Sequence, residues 1–378
     1  MEQVRYTQGK RLHYGYTTGS CAAAATKGAV QMLLSGKPVQ QVSLLTPKGW
    51  LLQLVLEACN LNAQQATCAV RKEAGDDPDV TDGMLIYATV RKTAQQIIID
   101  GGQGIGRVTK AGLNQPIGEA AINKVPRQMI LEAAQEICQR YGYTGGLQIE
   151  IWAPLGEQIA QETYNPKLGI LGGISILGTS GIVEPMSQQA LLDTMETELS
   201  VLQAAGNRHL LLVLGNYGQR FAQSYLQLEL TEAVKCSNYI GAALELAVQY
   251  GFQKILLLGH IGKLSKLGAG IMNTHSAEAD GRLEVLLRCA LRAGASLELL
   301  QQIDGCVTTD GALQLLQQAG LLEPAMAVLL QQMENYLQKK IPAAVQLELI
   351  CFTNQELLPA ILCQSSGAEQ LLPLWQRK

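Results

Sequence analysis

The stretch Lys254-Ile255-Leu256-Leu257-Leu258-Gly259-His260-Ile261-Gly262-Lys263 decides the fold of this chain. Its first half is a short apolar run with no polar residue at every second position, the pattern of a strand covered on both faces. Leu210 to Leu214 repeats the pattern and ends in Gly215-Asn216-Tyr217-Gly218. Helical stretches flank and separate these strands: Ser187 to Ala205, Tyr239 to Tyr250, about Ala277 to Ala293, Gly311 to Gln318 and Pro324 to Lys339, with a late strand over Gln346 to Cys351. Helices alternating with apolar strands predict a mainly parallel sheet in a three-layer α/β/α arrangement. Ligands of such sheets bind outside the carboxyl ends of the strands. Gly215, Asn216, Gly218, Gly259 and Gly262 are therefore candidate cofactor-binding residues. His260 stands at the same edge, equally open to a ligand role and to a structural one.

Upstream the chain changes character. Val42 to Leu45, the turn Thr46-Pro47-Lys48-Gly49 and Trp50 to Glu57 carry a hairpin signature. Ala66 to Lys72, Met84 to Arg91, Gln95 to Asp100 and Leu147 to Ala153 read as further strands, and Pro126 to Tyr141 as an amphipathic helix. The expected fold class is α/β (α+β) in two domains: residues 1–165 as an α+β layer and residues 166–378 as the α/β domain, joined near Asn165-Pro166.

Three further segments could carry chemistry. Tyr14-Gly15-Tyr16-Thr17-Thr18-Gly19-Ser20-Cys21 followed by Ala22 to Ala25 reads as a loop opening into a helix, with Thr18 and Ser20 as good N-caps and alanine as the best helix former. Free N–H groups at such a start favour an anion. Ile97-Ile98-Ile99-Asp100-Gly101-Gly102-Gln103-Gly104-Ile105-Gly106 could be a nucleotide-binding fingerprint, but no helix signal follows, which favours a glycine-rich hairpin or ligand-facing loop. Gly270 to Arg282 concentrates polar groups. There Asp280 would lie near His275 if a helix started at Ser276, or belong to a salt-bridged surface. Asn165 to Ser187, rich in glycine, reads either as a linker or as a ligand-approach segment. Gly36-Lys37 lacks Walker A spacing, and there is no Gly-x-Ser-x-Gly elbow or His-Glu-x-x-His motif.

Composition narrows the function classes. A chain of 378 residues with 47% hydrophobic and 16% charged residues fits a soluble globular protein with a large core. The net charge of −3 and 5% aromatic content disfavour nucleic-acid binding. The nine cysteines are scattered without Cys-x-x-Cys or zinc spacing, as expected for reduced thiols in the cytoplasm, and no apolar run is long enough to span a bilayer. Residues 1–165 hold 15 Lys+Arg against 14 Asp+Glu, and the remainder 14 against 18, so an anionic substrate would meet its positive charge in the first part. Arg107, Lys110 and Arg127 are candidates there, though ordinary solvated surface is the alternative for any one of them.

The stretches GYTTGSCAAAA, EAGDDPDVTDG, GGQGIGRVTKAGL, VPRQMI, NPKLGILGGISILGTSGIVEPMS, GNYG, SNYIGAALE, GHIGKLSKLGAGIMNTHS and ADGRLE occur in this order from residue 14 to about residue 284. Together they resemble the cobalt-precorrin-5B C-1-methyltransferase family of anaerobic cobalamin biosynthesis. Departures are small: Ser20 stands where threonine is more usual, and Ala111 and Lys124 where proline is expected. The resemblance implies a two-domain α/β enzyme, distinct from the usual Rossmann methyltransferases. Such an enzyme uses S-adenosylmethionine to methylate C-1 of a cobalt-containing corrin precursor, giving cobalt-precorrin-6A. Cobalt then arrives inside the substrate, no protein metal site is expected, and partners are limited to the small-molecule corrin, with no nucleic acid or membrane; a homo-oligomer is compatible. On this reading Thr17, Thr18, Ser20, Arg107, Lys110 and Arg127 would grip corrin carboxylates, while the strand ends of the second domain would hold the methyl donor. His260, His275 and Asp280 would orient the corrin edge or take up a proton. A helix N-terminus offers an exposed anion only ~0.3–1 kcal/mol, against ~8 kcal/mol for micromolar binding, so the Thr17 to Cys21 loop cannot hold the substrate alone. Two other classes stay open: a different nucleotide-dependent enzyme using the Gly101 to Gly106 run, and a noncatalytic corrinoid carrier.

Overall fold

The computed structural model describes residues 4–7 and 9–376. The chain divides into two compact units, Met1–Gln188 and Gln189–Lys378.

The first unit is built around the helix Thr18–Ser35, which buries fifteen of its eighteen residues. A helix apolar on all sides belongs inside a core. Ala22 to Ala25 are fully buried, and their small side chains let the helix lie close to the strands Gln65–Arg71 and Leu85–Thr93 on one side and the helix Lys124–Arg140 on another. The cap is Thr17, one residue before Thr18 and three before Ser20, the two candidates read from the sequence: its side chain accepts from the Ser20 N–H. At the other end Gly36, with φ of 67°, closes the helix on the Met32 carbonyl. Beneath lies a five-stranded sheet in the order Glu57–Leu61, Gln65–Arg71, Leu85–Thr93, Gly146–Trp152, Ile98–Gly101, antiparallel except for its last pair. The hairpin Gln41–Leu45 and Leu51–Val55 forms as expected.

Asn165-Pro166 falls inside this unit. Three short pairings bind the following segment to it: Gly104–Ile105 with Gly173–Ile174, Arg107–Val108 with Ile170–Leu171, and Gly15–Tyr16 with Ile182–Val183. The glycine-rich stretch is therefore packed structure, and its freedom from side chains lets backbones meet. A Cβ on Gly173 would collide with the Gly104 carbonyl, and one on Gly178 with the Thr17 side chain.

The second unit has a five-stranded sheet in the order Ala233–Lys235, His209–Val213, Lys254–His260, Gln346–Phe352, Ile361–Gln364. The first three pairs are parallel; the last is antiparallel. Period-2 geometry sends alternate side chains to opposite faces. Leu210, Leu212, Ile255, Leu257, Leu349 and Cys351 enter one core, with the helices Gln188–Ala204, Ile240–Gln249, Arg282–Arg292 and Leu322–Leu337. Leu211, Val213, Leu256, Leu258, Ile350 and Phe352 enter the other, with Phe221, Ala222, Leu371 and Trp375. This is the three-layer arrangement read from the sequence. The helix expected from about Ala277 begins only at Arg282, because Gly281 adopts φ of 76° and the preceding residues are tied elsewhere. The helices Gly215–Ser224 and Leu297–Asp304 were not read from the sequence.

One buried ion pair holds the turn-rich EAGDDPDVTDG stretch. Lys72, 2% exposed, places Nζ 2.8 Å from Asp79 Oδ2. Asp79 Oδ1 accepts from the Thr81 N–H and hydroxyl, and Asp82 accepts from the Ala74 N–H. Burial raises the Asp79 carboxyl, but Lys72 and the Thr81 donors outweigh it and hold it below the usual 3.8. Its contribution to stability is present above that value and lost as pH falls through the lower folded-state value. Lys72→Met is expected to cost about 3–5 kcal/mol in denaturant unfolding of the full chain at pH 7, because it strands a half-buried carboxylate. The deficit should shrink as pH drops below the usual carboxylate range. A loss within about 1 kcal/mol would assign the pair a surface-like role.

Candidate active site

Counted along the chain, the strands of the second unit stand in the order 2-1-3-4-5, so the connections run one way after His209–Val213 and the other way after Ala233–Lys235. The reversal lies between His209–Val213 and Lys254–His260, and the crevice outside their carboxyl ends is where such sheets bind ligands. Gly215, Asn216, Gly218, Gly259, His260 and Gly262 all fall at this edge.

Two elements start there. The helix Gly215–Ser224 opens directly from its strand, with Gly215 at φ of 62°, and the short helix Ile261–Leu264 opens from His260. A Cβ on Gly215 would sit 3.5 Å from Lys263 Nζ, so the lysine ammonium faces the start of the first helix. Lys263 has a long contact to the Ser237 carbonyl at 3.5 Å, and Lys235 donates to Asn216 Oδ1 at 2.6 Å. Burial holds Lys263 below the usual lysine range; Cys236 opposes this, while Lys235 and Lys266 reinforce it.

His260 is half-buried between Tyr217, whose ring centre lies 5.9 Å away, and Phe352 at 5.4 Å. Its Nδ1 accepts the Gly262 N–H at 3.1 Å. Burial lowers its pKa below the usual 6.5, with Asp310 acting in the opposite direction. Asp310 Oδ2 accepts from Gln355 at 3.0 Å, while its Oδ1 is buried without a partner.

His275 sits on the loop before Arg282–Arg292. Thr274 N–H donates to the Asn238 carbonyl and Asn273 bridges to Tyr239, which docks this loop just past the Ala233–Lys235 strand. His275 Nδ1 accepts the Ala277 N–H at 3.1 Å. Asp280 pairs with Arg282 through both oxygens, at 2.6 and 2.8 Å, and that hydrogen-bonded guanidinium holds its carboxyl below the usual range. Asp280 and Arg282 line a hollow of about 210 Å³ together with Glu284 and Asp304, an acidic setting unsuited to a polycarboxylate. A larger hollow of about 530 Å³ lies against Lys254 and Gln346, at the amino ends of the strands.

In the first unit the polar residues of the GYTTGS segment are turned inward. Thr17, Thr18 and Ser20 are buried; the Thr18 hydroxyl donates to the Ser175 and Leu177 carbonyls and accepts the Leu177 N–H, and Ser20 donates to the Gly181 carbonyl. The Thr18 and Ser20 hydroxyls lock the Ser175 to Gly181 segment onto the helix start, while the Thr17 hydroxyl turns to Ser20, which corrects the expectation of a ligand-facing loop. Arg107 and Arg127 converge on the edge strand Ile98–Gly101. Arg107 holds Asp100 in a fork at 2.8 and 3.1 Å, and Arg127 donates to the Ile99 carbonyl. Lys110 is exposed and donates to the Lys167 carbonyl at 3.2 Å. The Gly101 to Gly106 run leads into short strands with no helix behind it, and its glycines meet Ile105, Ala153, Ile170 and Gly173. That is a close-packed hairpin, with no room made for a pyrophosphate.

Lys235, Tyr217 and Asp310 were not singled out in the sequence. Lys235 ends a three-residue strand too short to leave a pattern, and Asp310 reaches the His260 neighbourhood from a helix that follows about fifty residues later in the chain. Among the described residues no helix is long and apolar enough to cross a membrane.

A family model described as CbiD matches residues 5–185, and one described as CbiD, C-terminal domain, matches residues 273–360. The cobalt-precorrin-5B C(1)-methyltransferase of Ruminiclostridium cellulolyticum is 46% identical over 374 residues, covering 98% of this chain and 97% of that protein. The protein of the same name from Photorhabdus laumondii is 46% identical over 314 residues, covering 83% of this chain and 82% of its own length. A crystal structure of a cobalamin biosynthesis protein (cbiD) from Archaeoglobus fulgidus is 28% identical, covers 73% of this chain and 86% of that one, and superposes with a TM-score of 0.40. With a near full-length relative and both domain matches in hand, the chain belongs to the CbiD family.

Proposed function

We propose that this chain is a methyltransferase that methylates C-1 of cobalt-precorrin-5B in cobalamin biosynthesis, with S-adenosylmethionine as the methyl donor. The observation that carries the reading is end-to-end similarity to a relative bearing that activity as its name. The corrin and its cobalt are substrate.

The edge of the second unit suits the donor. It gathers the Lys263 ammonium, the Asn216 side chain and the N–H groups opening Gly215–Ser224 for a carboxylate, with the Tyr217 ring, 62% exposed, for a flat or cationic group. S-adenosylmethionine supplies an electrophilic methyl on sulfur. The protein's part is positioning, which can be worth ~7–11 kcal/mol. Arg107, Lys110 and Arg127 are proposed to meet corrin carboxylates, Lys110 most directly because Arg107 already carries Asp100.

The histidines are set up to donate. With Nδ1 accepting a backbone N–H, a neutral imidazole carries its proton on Nε2. His260 and His275 share this arrangement, so each offers an N–H to an acceptor on the substrate. Taking up a proton at Nε2 is closed to the neutral ring in this tautomer. Asp280, engaged by Arg282, serves the loop as an ion pair.

Incubation of the chain with cobalt-precorrin-5B and methyl-labelled S-adenosylmethionine is expected to add one methyl to the corrin. Corrin binding without label transfer would identify a carrier, and tight NAD binding without S-adenosylmethionine binding a dehydrogenase. Lys263→Met should weaken S-adenosylmethionine binding about 10- to 100-fold, the range of a hydrogen bond from a charged donor; unchanged affinity places the donor elsewhere. Nitrogen NMR of the His260 ring should find the Nε2–H tautomer and a midpoint below 6.5, since charging a half-buried imidazole is disfavoured. Folding stability from this group is full above 6.5 and declines as pH falls toward the lower folded-state value. A neutral ring carrying its proton on Nδ1 would contradict the donor role, and a midpoint above 6.5 would contradict the burial argument.

A further inference from the structure

The loop from Gly270 to Gly281 has no regular structure, yet it carries His275. Two of its carbonyls, Thr274 and Ala279, converge on one atom: Lys266 Nζ, at 3.1 and 2.7 Å. Lys266 is 2% exposed and lies on the 3-10 turn Ser265–Ala269, directly ahead of the loop. Its own carbonyl accepts the Ile271 N–H at 3.1 Å, so the same residue fixes the loop's entry. An ammonium has three donors and no acceptor, which matches a site made of carbonyls, and Asp280 and Arg282 are the charged groups that act on it.

We infer that Lys266 is a positioning residue for methyl transfer: its buried ammonium clamps the carbonyls on either side of His275 and so sets where that imidazole stands. Burying a charged amine is costly unless it is fully bonded, and the two carbonyls lie close together only when the loop is folded as described. A side chain that is apolar, or too short to reach both carbonyls, would leave the ordered loop with unpaired acceptors. The loop then has no strong reason to keep this conformation. The inference rests on the proposed role of His275, and the clamp itself can be read without any turnover.

The test uses the full chain with Lys266→Met and Lys266→Gln. Amide hydrogen exchange over 274–281 is expected to quicken at least about tenfold, because bonds from a charged donor exceed that interval. Exchange in the buried strand His209–Val213 should stay unchanged. In labelled-donor assays kcat should fall about tenfold or more while S-adenosylmethionine affinity holds, a split that general destabilisation does not produce. Parent-like protection of the loop in both variants overturns the inference. So does loss of strand protection in both, which would make Lys266 a residue of core stability. Loop release with unchanged kcat overturns the positioning role and leaves the methyl-transfer reading standing. A parent chain without methyl transfer, alongside loop release in the variants, fails that reading and leaves the clamp in place.

Discussion

Two-sided burial of three parallel strands is the constraint on which the second unit depends. His209–Val213, Lys254–His260 and Gln346–Phe352 send alternate side chains into two separate cores, and Leu210 to Val213 and Ile255 to Leu258 are all fully buried. Backbone groups in such strands must be paired within the sheet, because water cannot reach them. The sheet therefore has to be continuous, and polar chemistry is excluded from its body. What remains for function is the rim where the strands stop, and the 2-1-3-4-5 order parts the connections there. Gly259 follows from the same constraint, since a Cβ there would meet the Leu264 side chain, whereas Gly215 is needed for its φ of 62°.

The first unit solves a different problem. A helix wrapped by sheet, hairpin and second helix cannot show a polar face, so small and apolar residues dominate it, and the hydroxyls of Thr18 and Ser20 bind neighbouring backbone. The charges it needs are paired at its margins: Lys27 with the Ser43 carbonyl and Glu136, and Lys72 with Asp79.

This contrast explains what could be read from the chain. The apolar strands and most helices of the second unit announced themselves, because burial on both faces leaves uninterrupted hydrophobic runs. The rim residues followed from the strand ends. The Thr17 to Ser20 segment misled, because hydroxyls at a helix start suit a ligand and a neighbouring backbone equally well, and only the position of Ser175 to Gly181 decides between them. The roles of the histidines were also out of reach. A sequence names an imidazole but not which nitrogen is already engaged, and here a backbone N–H two residues ahead settles it in both cases. Asp280 illustrates the same limit: Arg282, two residues on, takes both its oxygens.

The order of strands in the second sheet also bears on how this chain is made. Gln346–Phe352 pairs with Lys254–His260, and Ile361–Gln364 closes the open side of Gln346–Phe352. Each follows in synthesis the strand on its inner side, and a long, mostly helical stretch separates Gln346 from the strand it joins. Until then the nascent sheet offers a bare apolar edge, the kind of surface that recruits other strands. The late antiparallel strand is thus the seal that turns an association-prone edge into a closed one.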